Sequence, residues 1–239
     1  IDIVMTPDGA PVAMVHTNNC SSDINAWAAL FGSFAAAIGT ALTPDDLYQK
    51  LFAAAGIGDM DAGDLLNYAC LSGEHITEVR EGRPLFVRTP HSRFTLPNFM
   101  RAQLYAAFAP LRIGMEILVR EEGVSPTRMI AHGGLFKTPV VAQQILADAL
   151  NVPIAVMETA HEGGPWGMAV LAVFALCARR TLPDFLDNVV FGTARTFVCV
   201  PDPAGAAGYD RFIDRYRTAL SVEKEARILR DESPSNTSI

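Results

Sequence analysis

Met129-Ile130-Ala131-His132-Gly133-Gly134-Leu135-Phe136-Lys137-Thr138 is the stretch whose reading decides the fold. Apolar residues run into a Gly-Gly pair and then into a helix start, which reads as strand, tight turn and helix. The helix runs from Pro139 to Leu150, and a second strand follows from Pro153 to Met157. Glycine has no Cβ, so the turn lets a flat ligand or a phosphate approach the backbone, and a helix start offers free N–H groups. The stretch lacks the G-x-G-x-x-G spacing of a dinucleotide fingerprint and the G-K-[ST] ending of a P-loop. A simple strand-to-helix turn competes with a ligand site. Lys137 reads equally as a phosphate contact and as a solvated side chain.

The alternation continues outward in both directions. Upstream, Ile1 to Val4 and Ala10 to His16 read as strands around a turn at Pro7-Asp8-Gly9. Ser21 or Ser22 caps a helix whose apolar residues are Trp27, Leu30, Phe31, Phe34 and Ile38. Thr43-Pro44-Asp45-Asp46 combines a cap, a proline at the first position and acids in the first turn, so a second helix runs to about Ala55. Leu65 to Leu71 is extended, and Arg80 to Pro90 is a loop-and-strand region. From Pro97 the stripe Leu104, Phe108, Leu111, Met115 and Leu118 places a helix against the core. Downstream, a buried helix starts near Pro165, a shorter one near Leu182 and a strand at Arg195. Pro203 to Arg230 is helical, with Tyr209, Phe212, Ile213, Tyr216 and Leu220 facing inward. The polar tail from Asp231 is expected to be disordered. Strands alternating with helices argue for the α/β class.

The chain has 239 residues, half of them apolar, which fits one large domain or two small ones. Its formal net charge of −7 argues against a general nucleic-acid binder, which needs a basic stripe. The most apolar stretch, Trp166 to Ala178, is too short to span a bilayer, which takes about 20 residues, and no signal peptide opens the chain. Cys20, Cys70, Cys177 and Cys199 form no C-x-x-C pair, and the five histidines fall in no metal spacing. No metal site, membrane contact or nucleic-acid partner is therefore expected, and a cytoplasmic protein is. Residue 1 is Ile rather than Met, which fits trimmed numbering or the C-terminal part of something longer.

Several segments together resemble a known family. The Gly133-Gly134 turn leads to Gln143-Gln144-Ile145-Leu146-Ala147-Asp148 and Asn151-Val152-Pro153-Ile154, and then to Glu162-Gly163-Gly164-Pro165-Trp166-Gly167-Met168-Ala169. This order is similar to the C-terminal half of the FGGY carbohydrate kinases, which phosphorylate sugars such as xylulose, ribulose and glycerol. Leu71-Ser72-Gly73-Glu74-His75 resembles the family's L-S-G-E-R segment, with His75 in place of Arg. Arg101-Ala102-Gln103-Leu104 resembles its R-A-x-L-E-G helix, with Tyr105 in place of Glu.

The resemblance implies a ribonuclease-H-like (actin-like ATPase) domain, a mixed sheet flanked by helices, over residues 1–230, with 231–239 a disordered tail. By position, Gly133 and Gly134 would touch the nucleotide, with Thr138 at the helix start. Ser22 and Asn25, in the turn before Trp27, would line the other wall. The family's catalytic Asp and phosphate-binding Gly-Thr turn match nothing in this chain, so no catalytic residue is assigned. The implied cofactors are ATP and Mg2+, and the implied partner is a sugar held by an absent N-terminal domain; a homo-oligomer is left open. The alternative function is a catalytically idle actin-like binding or regulatory module.

Overall fold

The computed structural model describes residues 2–137, 140–158, 163–176 and 181–229. Strands β1 (Asp2–Met5) and β2 (Pro11–Met14) form an antiparallel hairpin. Helices α1 (Ser22–Ala37) and α2 (Pro44–Gly56) follow. Strands β3 (Leu66–Tyr68) and β4 (Leu85–Val87) pair antiparallel and lead into the long α3 (Leu96–Arg120). Then come β5 (Met129–Ala131), α4 (Val141–Leu150), β6 (Ile154–Met157), α5 (Gly163–Leu176), α6 (Leu182–Phe185), β7 (Thr196–Cys199), α7 (Pro203–Thr218) and α8 (Leu220–Glu225). The third sheet is mixed: β5 runs parallel to β6, and β7 antiparallel to it. The α/β class and the mixed sheet flanked by helices are both present.

The core is built on α3. Phe99, Met100, Leu104, Tyr105 and Phe108 are buried on it, and α7 brings Tyr209, Phe212, Ile213 and Tyr216 against it. Buried phenols need partners, and three of the buried tyrosines donate to carbonyls. The Tyr209 hydroxyl donates to Tyr105 O at 3.1 Å, Tyr105 to Met60 O at 2.8 Å, and Tyr68 to Tyr216 O at 2.8 Å. Gly208 lets α7 approach the Met60 backbone, where a Cβ would collide. Gln143 of α4 donates to Ile154 O and Phe197 O, at 2.8 and 2.9 Å, tying the helix to two strands. Arg112 links α3 to α7 through Asp210 at 2.8 Å, and Arg217 returns to Glu116 at 2.5 Å.

Helix α3 is the one helix among the described residues long and apolar enough to cross a membrane, by length and composition. In its most apolar window, 61 % of the residues are packed inside the protein, as in the central helix of a core.

Of the apolar residues read onto α1, Leu30 and Phe34, with Ile38 just beyond the helix end, are exposed. Ile24, Ala28 and Ala35 form the inner face instead, because alanines allow a closer approach to the core. The expected buried helix, α5, carries exposed Met168, Val173 and Leu176. It is apolar all round; Trp166 packs on Phe191 and Phe174 on Phe185, with ring centroids 5.6 and 5.4 Å apart, while Met168, Val173 and Leu176 stay open. The expected single helix from Pro203 breaks at Ala219, beyond which α8 begins. Arg230 and the tail after it lie outside the described residues.

The break at Ala219 turns Glu223 inward. It is fully buried; its Oε1 accepts the Arg83 N–H at 2.9 Å, and its Oε2 has no partner. Burial pushes the carboxyl up to about 7, against the pull of the Arg83 N–H and guanidinium. The folded chain therefore keeps a proton that the unfolded chain releases. Stability from this group is present below the ordinary value of 4.5 and lost as pH rises to about 7. Glu223→Gln is expected to leave stability at pH 4.5 nearly unchanged and to raise it at pH 8 by on the order of 1–2 kcal/mol. Urea unfolding of both proteins at the two pH values checks this; a Gln variant less stable at pH 8 contradicts it.

Candidate functional site

The candidate site lies where β5 ends. Parallel pairing with β6 fixes that strand, and ligands of α/β sheets bind beyond the carboxyl ends of strands. Gly133 has φ of +110°, a conformation that a Cβ would strain. A short 3-10 turn, Gly134–Phe136, follows where a direct run into the helix was expected. Its last N–H bonds are Phe136 to Gly133 O at 3.1 Å and Lys137 to Gly134 O at 3.2 Å.

Two helices complete the site. The chain entering α1 is clasped by buried Glu74, whose Oε2 accepts N–H bonds from Asn18 at 2.8 Å and Asn19 at 3.2 Å. Asn19 in turn accepts the Ser72 N–H at 3.0 Å. These bonds set the first turn of α1, where Ile24 points inward and Asn25 outward. At the start of α2, Thr43 Oγ1 accepts the Asp46 N–H at 3.2 Å, as its sequence foretold. The far end of α2 is held by Arg101, which donates to Ala55 O and Gly56 O, both at 3.0 Å.

Between these elements lies a cleft of about 580 Å³. Gly134, Leu135 and Lys137 line it from the glycine turn, Ser21, Ile24 and Asn25 from α1 and its cap, and Asp45, Asp46, Tyr48, Gln49 and Phe52 from α2. Asn25 and Gly134 thus line one cleft. Gly133 sits beside it without lining it; Ser22 opens α1 but leaves the lining to Ser21. Thr138 lies outside the described residues. Sequence reasoning missed the α2 wall. Its signal was the spacing of Asp45, Tyr48, Gln49 and Phe52, which puts them on one helix face.

The lining has a definite chemistry. Ile24, Phe52 and Leu135 are apolar; Tyr48 is aromatic; Asn25, Gln49 and Ser21 offer uncharged hydrogen-bonding groups; Lys137 carries positive charge. The Gly164 and Gly167 positions of α5 are not part of this lining, and a Cβ on either would meet no atom of the described residues within 4 Å beyond its chain neighbours.

The sequence profile of the FGGY family of carbohydrate kinases, C-terminal domain, matches residues 1–176. This chain belongs to that family. Among solved structures, the ligand-bound xylulose kinase from Lactobacillus acidophilus matches with TM-score 0.64 and 24% identity, over 91% of this chain and 40% of that one. The xylulose kinase from Rhodospirillum rubrum matches with TM-score 0.64 and 24% identity, over 86% and 39%. The Plasmodium falciparum glycerol kinase with ADP matches with TM-score 0.50 and 16% identity, over 84% and 36%. No curated protein matches by sequence. The likeness shows the fold, the actin-like ATPase fold of FGGY kinases. The chain spans about two fifths of the length of these kinases. Where the family's R-A-x-L-E-G helix has Glu, Tyr105 here takes the Arg101 guanidinium at 3.2 Å, so the arginine keeps a partner one turn on.

Proposed function

We propose that this chain is the nucleotide-binding part of a cytoplasmic, ATP-dependent carbohydrate kinase whose substrate is a pentulose or a related sugar. The observation that carries this reading is the cleft, in which Gly134, Asn25 and the α2 wall come together. The lining fits a nucleotide. Beyond its chain neighbours, no atom of the described residues lies within 4 Å of the place a Cβ on Gly134 would occupy, which leaves room for a ligand against the backbone. Ile24, Phe52 and Leu135 would cover a base, Asn25 and Gln49 would hydrogen-bond its nucleoside part, and Lys137 would meet a phosphate.

Phosphoryl transfer needs positioning, phosphate neutralisation and a base on the accepting hydroxyl. This chain supplies the first and part of the second. Among the described residues no three His, Cys, Asp or Glu side chains are grouped to hold a metal ion; magnesium would enter with the nucleotide phosphates, and no step is assigned to it. We place the base and the sugar contacts in an N-terminal domain. The exposed apolar residues of α5, of the outer face of α1 and of β1 support this division, because apolar patches of this kind mark interfaces.

Two results are expected from the 239-residue chain. ADP at ten times its Kd should stabilise it by about 1.4 kcal/mol, a rise in Tm of roughly 3–5 °C. Incubated with ATP, magnesium and a panel of sugars, it should show no sugar-dependent turnover. Robust turnover would overturn the division of labour, and an unshifted Tm with saturating ADP would overturn the nucleotide site.

A further inference from the structure

Helices α1 and α2 meet across the cleft through one side-chain hydrogen bond among the described residues: the Tyr48 hydroxyl donates to Asn25 Oδ1 at 2.7 Å. Tyr48 is itself held, its ring standing edge-on to Phe52 one turn further along α2, with centroids 6.1 Å apart. Burial pushes the Tyr48 phenol up from its ordinary range, which keeps the hydroxyl a donor. A free asparagine amide exchanges donor and acceptor by half a turn of its side chain. With Oδ1 taking the Tyr48 proton, the Nδ2 hydrogens are left for another acceptor.

The geometry points to Tyr48 as a positioning residue, whose hydroxyl sets the Asn25 amide so that Nδ2 donates to an acceptor atom on the nucleoside part of the bound nucleotide. Charge in the cleft agrees with that assignment. Asp45 and Asp46 line the same α2 wall and offer only acceptors when ionised, so a donor there must come from an amide or a hydroxyl. The same carboxylates disfavour phosphate beside them, which leaves the Lys137 end of the cleft for the phosphates and the Asn25 side for the nucleoside. This inference rests on the nucleotide reading of the cleft.

Equilibrium binding of ADP to the 239-residue chain and four variants tests it. Tyr48→Phe removes only the hydroxyl and should weaken binding roughly three- to tenfold. Asn25→Asp preserves an acceptor for Tyr48 but has no N–H, and should weaken binding tenfold or more. In the Asn25→Ala background, Tyr48→Phe should cost nothing further, since its effect runs through the amide; a packing role would give additive losses. Thermal melts confirm that each variant is folded. Asn25→Asp binding as tightly as wild type, or an undiminished Tyr48→Phe loss in the Asn25→Ala background, overturns the pair while leaving the nucleotide site standing. A wild-type chain that binds no ADP overturns the nucleotide reading, and this inference with it.

Discussion

Arg101→Ala is expected to lower the stability of the chain by about 2–3 kcal/mol, from charge-assisted hydrogen bonds lost at the end of α2 and from lost packing of the side-chain stem. Arg101 is buried on α3 and pairs with no carboxylate by hydrogen bond. Its guanidinium is shared among Ala55 O, Gly56 O and the Tyr105 hydroxyl. The two carbonyls are at the C-terminus of α2, where a positive charge complements the helix dipole and satisfies groups that have no partner within the helix. Alanine would leave Ala55 O with the Gly58 N–H at 3.2 Å as its donor and would hand Gly56 O, on an exposed residue, to water. Lysine would recover the charge but not the fork that reaches several acceptors at once, so Arg101→Lys should show an intermediate loss. Because α2 carries Asp45, Asp46, Tyr48, Gln49 and Phe52, ADP affinity should fall along with stability. Urea denaturation reads the first effect as a lower midpoint at unchanged slope. A variant within about 0.5 kcal/mol of wild type would show that α2 is held by other contacts.

Much of this architecture was legible because local rules and tertiary packing agree. Thr43-Pro44-Asp45-Asp46 starts a helix by capping chemistry alone, and α2 begins there. The 3–4 spacing from Leu104 to Leu118 lies on α3 and packs into the core. The Gly-Gly turn between β5 and α4 was legible for the same reason, although the 3-10 turn inside it was not: three residues are too few to show a period. Where reading failed, the missing information was tertiary. Helix α1 offers two apolar stripes, and only packing selects the one with Ala28 and Ala35 as the inner face. Helix α5 is apolar on every side, so its composition cannot say which face is covered. Arg101 and Glu223 look like surface charges in a sequence, and their burial follows from contacts dozens of residues away.

The cleft was half legible for a related reason. Asn25 and Gly134 were reached through the family resemblance, because each sits in a recognisable segment. Tyr48 and Phe52 belong to the same cleft but lie on a helix with an ordinary amphipathic pattern, and only the crossing of α1 and α2 gives them a cleft to line.

Gly134→Val is expected to leave the fold intact and to weaken nucleotide binding roughly tenfold to a hundredfold. The first half follows from the open space around the position: beyond its chain neighbours no atom of the described residues lies within 4 Å of where a Cβ would stand, and Gly134, unlike Gly133, has no positive φ to protect. The second half follows from where that space is. Gly134 lines the cleft, so a branched side chain occupies volume a nucleotide would otherwise fill, and such overpacking costs roughly 1–3 kcal/mol. Calorimetric titration of the folded wild-type chain and of Gly134→Val with a non-hydrolysable ATP analogue is the most direct test. The account expects saturable binding by wild type and at least a tenfold weaker affinity in the variant, with both proteins melting at the same temperature. Equal affinity in the two would place the nucleotide away from this turn and contradict the assignment of the cleft.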